Sequence, residues 1–305
     1  MKQTTGNPSA KAALMVVTGA VLWGTYGAFV TALTDLGMGR NAQIFLRFFM
    51  TVVPVGILLA FKDRSQLKIK KKDLWLFPAN GIFSLVFFSA CYTAAIRLTK
   101  MATAAALLYT APVIVMILSV LLFQERMTGR KVFCVVLSVA GCALASGIAG
   151  ELSGGDGGSA LTVPGILTGL GAGLGYGLYS IFSRIILNKG YSVLTNIFYS
   201  FLASDTIFLV LSLRDGSLIA AAEKPQVAAL GLLCGILTGF GSYVLYTAGM
   251  EKMETSRAAQ LATIEPVTAA VLGFLLFGQP LSVFEVIGIA LVVGSVILMN
   301  LRSSD

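Results

Sequence analysis

Along this chain, apolar runs of about twenty residues alternate with short polar stretches. Ten such runs can be drawn, at roughly 12–34, 41–61, 74–97, 101–123, 129–148, 162–188, 192–213, 226–250, 255–278 and 282–301. A helix crossing the hydrocarbon core of a bilayer needs about 20 apolar residues. The pattern therefore predicts an all-α membrane protein with ten transmembrane helices. The first run is too long for the core of a signal peptide and nine more follow it, so it is expected to remain as a helix.

The polar stretches carry a sign. If the N-terminus is cytoplasmic, the loops on that side hold sixteen lysines and arginines, six of them in KDRSQLKIKKKD at 62–73. The opposite loops hold five: Arg40, Arg97, Lys100, Arg214 and Lys224. Short loops rich in Lys and Arg stay in the cytoplasm, so both termini are expected there, in a cell membrane. The run at 62–73 is accordingly read as a topology signal.

The stretch AGELSGGDGGSA at 149–160 differs from the other loops in its glycines and purely acidic charge, and it divides the chain near its midpoint. Shifting residues 92–144 by 154 positions lays them on 246–298 without a gap, and sixteen of the fifty-three pairs are identical. YTA at 92–94 meets YTA at 246–248, Pro112-Val113 meets Pro266-Val267, and LLF at 121–123 meets LLF at 275–277. Gly24, Tyr26 and Phe29 meet Gly177, Tyr179 and Phe182 at an offset of 153. Residues 1–148 and 161–305 are thus expected to be two five-helix repeats joined by an external linker at 149–160. Five is odd, so the second copy must enter the membrane inverted, an arrangement typical of secondary transporters.

Several residues interrupt the apolar pattern. Pro54, Pro112 and Pro266 lie within runs, where each removes a helix hydrogen bond. Pro112 and Pro266 are repeat mates and are candidate hinges. Gly165, Gly169, Gly173 and Gly177 recur every four residues, with Gly171 and Gly175 beside them, which predicts a smooth helix face for close packing. No GxGxxG pattern runs through them.

A charge at the centre of a membrane helix costs about 2.5–3.5 kcal/mol on insertion scales. With a rise of about 1.5 Å per residue, Glu265 lies near the midplane, and Asp205 and Arg47 lie at similar depth to each other. In one reading Arg47 neutralises Asp205 or Glu265 and ties two helices together. In the other, Glu265 faces a wet cavity and meets a substrate amine or a coupling proton. Trp23 and Tyr26, with Tyr176 and Tyr179 in the matching run, are candidates for an aromatic cavity wall. Tyr109 and Tyr246, in the repeated motifs, join them. Ser282-Val-Phe-Glu285 fits a capping box, Glu125 is expected at an interface, and Trp75 is expected to anchor a run's edge.

Composition narrows the function further. The chain is 56% hydrophobic and 12% charged, with a net charge of +8 and a mean hydropathy of +0.86. The basic residues form no face with interleaved aromatics, so nucleic acid is not an expected partner. There is no histidine, which removes histidine-based triads and zinc-protease sites. Cys91, Cys134, Cys142 and Cys234 fall in apolar runs without CxxC spacing and read as packing residues. No metal or cofactor is expected.

With these motifs in hand, the chain resembles the EamA family of the drug/metabolite transporter superfamily. The resemblance rests on LWGTYGAF near the start, LRFF at 46–49, YTAPVIVMILSVLLFQERMT at 109–128 and TIEPVTAAVLGFLLFGQPLS at 263–282. It implies ten helices in two inverted halves around a central cavity, and transport of small metabolites, often export of amino acids or related compounds. Two departures stand out. Gln279 replaces an acidic residue usual in the last motif. The first run has no carboxylate before Asp35, so the proton-coupling glutamate of four-helix relatives has no counterpart.

The expected function is a secondary transporter, an exporter of small metabolites such as amino acids, working by alternating access. It is not expected to be an enzyme, since an intramembrane enzyme would need a constellation the sequence lacks. A nucleotide-sugar or phosphate-ester carrier on the same fold would want clustered deep cations, and only Arg47 sits deep. The expected partners are a small-molecule substrate and the lipid bilayer; monomer and homodimer stay open.

Overall fold

The computed structural model describes residues 10–149 and 162–300. Among these residues every regular element is helical. Nine helices among the described residues are long and apolar enough to cross a membrane: α1 (Ala10–Asp35), α2 (Arg40–Lys62), α3 (Lys71–Leu98), α4 (Met101–Phe123), α6 (Val163–Asn188), α7 (Val193–Arg214), α8 (Pro225–Glu251), α9 (Thr255–Phe277) and α10 (Val283–Asn300). Between α4 and α6 lies α5 (Gly129–Ala145), which at 17 residues is shorter. The fifth apolar run stops early because the chain turns at Ser146–Gly147, where Gly147 takes a φ of +83°, open only to glycine at little cost. The expected linker lies outside the described residues apart from Ala149.

Leu14, Phe61, Leu121, Phe133, Leu275 and Val283 are exposed on the outside of the bundle. The interior, in contrast, holds many small polar side chains, among them Ser138, Ser200, Thr238, Ser242 and Ser295. An apolar exterior over a polar-seamed interior is the inverse of a soluble domain. The chain is a multi-pass membrane protein.

Local rules decide where the helices break. In α4 the winding stops after Leu108 and resumes at Ala111; in α9 it stops after Leu261 and resumes at Ile264. Pro112 and Pro266 therefore sit in first turns of the resumed helices, where a missing N–H costs nothing. Pro54 instead lies within the continuous helix Arg40–Lys62. Helices α3 and α8 carry wider π-turns at Gly81–Val86 and Gly235–Gly241. A Cβ on Gly81 would stand 2.3 Å from the Ser200 carbonyl oxygen, and one on Gly235 would stand 2.7 Å from that of Leu46. Both glycines and both carbonyls are 154 residues apart. Gln124 and Gly278, also 154 apart, both adopt left-handed backbone after α4 and α9, with φ of 56° and 63°.

The glycines of α6 serve two faces rather than one. Gly165, Gly169, Gly173 and Gly177 meet α4 or the turn before it; a Cβ on Gly173 would lie 2.9 Å from Thr110 Oγ1 and 3.1 Å from the Leu107 carbonyl. Gly171 and Gly175 meet Cys91 and Phe88 of α3. Helices α5 and α10 pair just as closely, with Gly141 and Gly288 on each other's backbone and Ser138 Oγ 2.5 Å from Ser295 Oγ.

The end of the bundle carrying residues 62–73 is tied across the two halves of the chain. The Glu125 carboxylate accepts from the Thr255 N–H at 2.6 Å, the Ser256 N–H at 3.2 Å and the Ser256 hydroxyl. Glu125 is 4% exposed, so it is a buried cap on the N-terminus of α9 and not a surface residue. Within the second half, Arg184 donates to Thr255 Oγ1 at 2.8 Å and to the carbonyls of Met250 and Met253. Lys131 Nζ lies 2.6 Å from Glu254 Oε2, and Lys189 Nζ lies 2.8 Å from Asp73 Oδ1. At the far end the last segment of α1, Tyr26–Asp35, is loosely packed: Leu33 is its buried residue, and Gly27 faces open space.

Candidate functional site

The middle of the bundle holds a ring system. Trp23 of α1 is 6% exposed and packs edge-on against Tyr243 and tilted against Tyr246, each at 4.9 Å between centroids, and against Tyr176 at 6.0 Å. Tyr179 joins from α6, 5.0 Å from Tyr243, and Phe88 of α3 lies 5.9 Å from Tyr176. These rings wall a cavity with Ser84, Leu85, Gly175 and Ser180, whose free volume of about 20 Å3 has room for one water molecule. Two tyrosines are fixed by hydroxyls across the α6–α8 contact: Tyr179 with Thr247 at 2.8 Å and Tyr246 with Ser180 at 2.7 Å. The Trp23 indole N–H is buried without an acceptor.

Glu265 stands beside this wall. The break in α9 places it in the first turn of Ile264–Phe277, where the free backbone N–H groups and the helix dipole favour a negative charge. Its Oε2 accepts from the Tyr176 hydroxyl at 2.6 Å. The backbone there is crowded, since a Cβ on Gly24 would lie 2.7 Å from the Glu265 carbonyl oxygen. Pro266 and Glu265 are thus two parts of one arrangement: the proline starts a half-helix, and the carboxylate occupies its N-terminus.

Of the residues singled out from sequence, Trp23, Tyr176, Tyr179 and Tyr246 line the cavity together, and Glu265 joins them through Tyr176. Tyr26 lies one step away, its ring 4.0 Å from the Arg47 guanidinium. Tyr109, at the break in α4, belongs to an adjacent cluster with Cys142 and Val267 that shares Tyr176. Sequence reasoning missed Tyr243 and Phe88. Tyr243 precedes Tyr246 by three residues, so helical spacing placed both on one face; Phe88 carried no such signal beyond lying four residues before Tyr92.

The expected ion pair of Arg47 with Asp205 or Glu265 is not formed. Among the described residues the ion pairs are Lys131–Glu254 and Lys189–Asp73. Arg47 instead gives Nε and Nη2 to the Thr238 carbonyl at 3.3 and 3.0 Å. The physical reason is the π-turn at Gly235–Gly241, which turns that carbonyl toward α2; Gly239 admits the approach, since a Cβ there would be 2.5 Å from the Arg47 carbonyl oxygen. A second face of the guanidinium covers the Tyr26 ring, and Tyr243 lies 5.8 Å away. Arg47 and Glu265 stand too far apart for an ion pair. Asp205 is buried on α7 with Oδ1 unpartnered, flanked on its helix face by Phe201 and Phe208, which both pack on Phe48.

Among the described residues no group of His, Cys, Asp and Glu side chains could hold a metal. What the site offers is shape, aromatic faces, one carboxylate and one guanidinium, reached where helices break at mid-bundle. That combination in an all-helical multi-pass chain is the build of a membrane transporter. The sequence pattern of the EamA-like transporter family matches residues 10–147 and again 163–301, and the chain belongs to that family. It is 29% identical to an uncharacterized transporter of Archaeoglobus fulgidus over 287 residues, covering 93% of this chain and 94% of the relative. It is 26% identical to the uncharacterized transporter YwfM of Bacillus subtilis over 292 residues, covering 94% and 93%. A protein crystal structure with 20% sequence identity superposes with a TM-score of 0.75 over 95% of this chain and 97% of that one, a likeness of fold.

Proposed function

We propose that the chain is a secondary transporter that exports small zwitterionic metabolites, amino acids or related compounds, across the cell membrane by alternating access. The two halves, 1–148 and 161–305, act as inverted five-helix repeats, with α5 as the tenth crossing and both termini cytoplasmic. This architecture is supported by the recurrence of breaks, π-turns and left-handed caps at one offset, by the two family matches, and by the bias of Lys and Arg toward one end.

The observation that carries the substrate reading is the separated pair Glu265 and Arg47 on either side of one aromatic wall. Glu265, held by Tyr176, takes the ammonium of the substrate. The edge of Arg47 turned away from Thr238 takes the carboxylate, as guanidinium geometry suits. Trp23, Tyr243 and Tyr246 supply faces for the alkyl or cationic part. Two unneutralised charges at depth are costly, and a zwitterion satisfies both at once. The cavity as it stands admits only water, so substrate entry requires the walls to part, with Pro112 and Pro266 marking the hinges.

The test is counterflow in proteoliposomes with a panel of amino acids, with and without a proton gradient. Glu265→Gln and Arg47→Lys are each expected to lower flux at subsaturating substrate at least tenfold, as loss of a charged hydrogen bond of about 1.5–3 kcal/mol implies. Unchanged flux in Glu265→Gln would remove the amine role from that residue.

A further inference from the structure

The tie between Lys131 and Glu254 has a counterpart in sequence. Shifting both residues by the repeat offset of 154 turns Lys131 into Glu285 and Glu254 into Lys100. The charges are exchanged, and the pair is conserved as a pair of opposite sign. The placement matches as well. Lys100 and Glu254 are the N-cap residues of α4 and α9, and Lys131 and Glu285 both sit in the first turn of the next long helix. Lys131–Glu254 joins the first half to the second at the basic end; Lys100 and Glu285 belong to the same two halves at the far end.

In this structure the first pair is closed at 2.6 Å and no ion pair joins the second. Glu285 instead accepts from the Ser282 N–H at 2.6 Å. The start of α4 is nonetheless near: Glu285 Oε1 and the Ala102 side chain lie 3.4 and 3.9 Å from the point where a Cβ on Gly147 would stand. Lys100, the N-cap residue of that helix, lies two residues before Ala102. The cap beside the closed pair behaves the same way. Glu125 holds the N-terminus of α9, whereas its counterpart Gln279 turns back on its own helix, with Oε1 2.8 Å from where a Cβ on Gly273 would stand.

We propose that Lys100 and Glu285 are the conjugate ion pair that closes the far end when Lys131–Glu254 parts, so that one of the two pairs is made in each state of the cycle. The proposal rests on the alternating-access reading above. It follows from that reading because two inverted copies exchange conformations between states, so a contact made at one end in one state is made by its mates at the other end in the other. The exchange of sign preserves attraction at both ends.

The test uses the full chain in nanodiscs with spin labels on unnatural amino acids, leaving the native cysteines in place. Labels at Arg126 and Lys252 span the halves at the basic end; labels at Arg97 and Val283 span them at the far end. All four positions are exposed. Lys131→Gln is expected to lengthen the 126–252 distance and shorten the 97–283 distance. In that background Lys100→Gln and Glu285→Gln should each reverse the population ratio by about 1.4- to 5-fold, the range for a partly exposed ion pair, and the double variant no further than either alone. Gln at 285 keeps the capping box intact. Opposed distance changes with additive or absent effects of the two Gln variants would overturn the pair and leave alternating access standing. Distances that do not change in opposite senses would overturn alternating access itself.

Discussion

Replacing Glu125 by Gln isolates the seal at the basic end. The carboxylate meets three donors: Thr255 N–H on Oε1, and Ser256 N–H and hydroxyl on Oε2. An amide has one acceptor oxygen, so at least one donor must face an NH2 group. Losing one hydrogen bond to a charged group costs about 1.5–3 kcal/mol, and removing negative charge from a helix N-terminus about 0.3–1 kcal/mol more. The local closed state should therefore weaken by about 2–4 kcal/mol, a change of about 30- to 900-fold in the closed-to-open ratio. Amide hydrogen exchange read by mass spectrometry over 250–262 measures this directly, because the two backbone donors are the reporters. Exchange there should accelerate by that factor, while the α5–α10 contact around Gly141 and Gly288 keeps its protection. Acceleration of less than about threefold would refute the reasoning, and uniform acceleration along the chain would mean that the substitution unfolds the protein instead of opening one end.

Gly81→Ala and Gly235→Ala should each lower the melting temperature in detergent, with losses of about 1–3 kcal/mol for overpacking against backbone, whereas Gly294→Ala, in mid-helix with nothing within 4 Å of its Cβ, should raise it, with a gain of about 0.5–1 kcal/mol. Gln124→Gly should stabilise by about 0.5–1 kcal/mol: it relieves left-handed strain of about 1–2 kcal/mol against a smaller gain in unfolded-chain entropy. Tyr176→Phe removes the 2.6 Å bond to Glu265 and should raise the half-saturating substrate concentration in counterflow about tenfold, with an unchanged value counting against Glu265 as the amine site.

The apolar runs marked the helices to within a few residues, because length and hydropathy are local properties that a bilayer reads directly. Breaks in α4 and α9 were visible as Pro112 and Pro266, although each lies in the helix that follows the break rather than at the kink. Most of the aromatic wall was legible because Trp23, Tyr176 and Tyr179 fall in matched stretches. What the sequence hid depended on distant partners. Glu125 looked like an interfacial residue at a helix end, since its donors lie 130 residues away at Thr255. Arg47 looked like the mate of a carboxylate because carboxylates are its commonest partners; a π-turn in α8, which no periodicity announces, offered a carbonyl first.

The two bends have unequal surroundings. In both, a threonine hydroxyl bonds the carbonyl three residues back, Thr110 to Leu107 at 2.7 Å and Thr263 to Gln260 at 2.6 Å. Around Thr263 the polar groups are gripped: Gln260 Nε2 holds Ser138 and Ser295 at 3.0 and 3.2 Å, and the Cys142 thiol reaches the Thr263 carbonyl at 3.8 Å. The Thr110 hydroxyl instead faces Gly173 of α6, 2.9 Å from where a Cβ there would stand, and Tyr109 beside it is held by apolar packing. One bend is a riveted joint and the other a plain bearing. In the state seen here the bend at Pro112 is thus the freer of the two, and the one at Pro266 moves only once the grip on Gln260 and Thr263 is released.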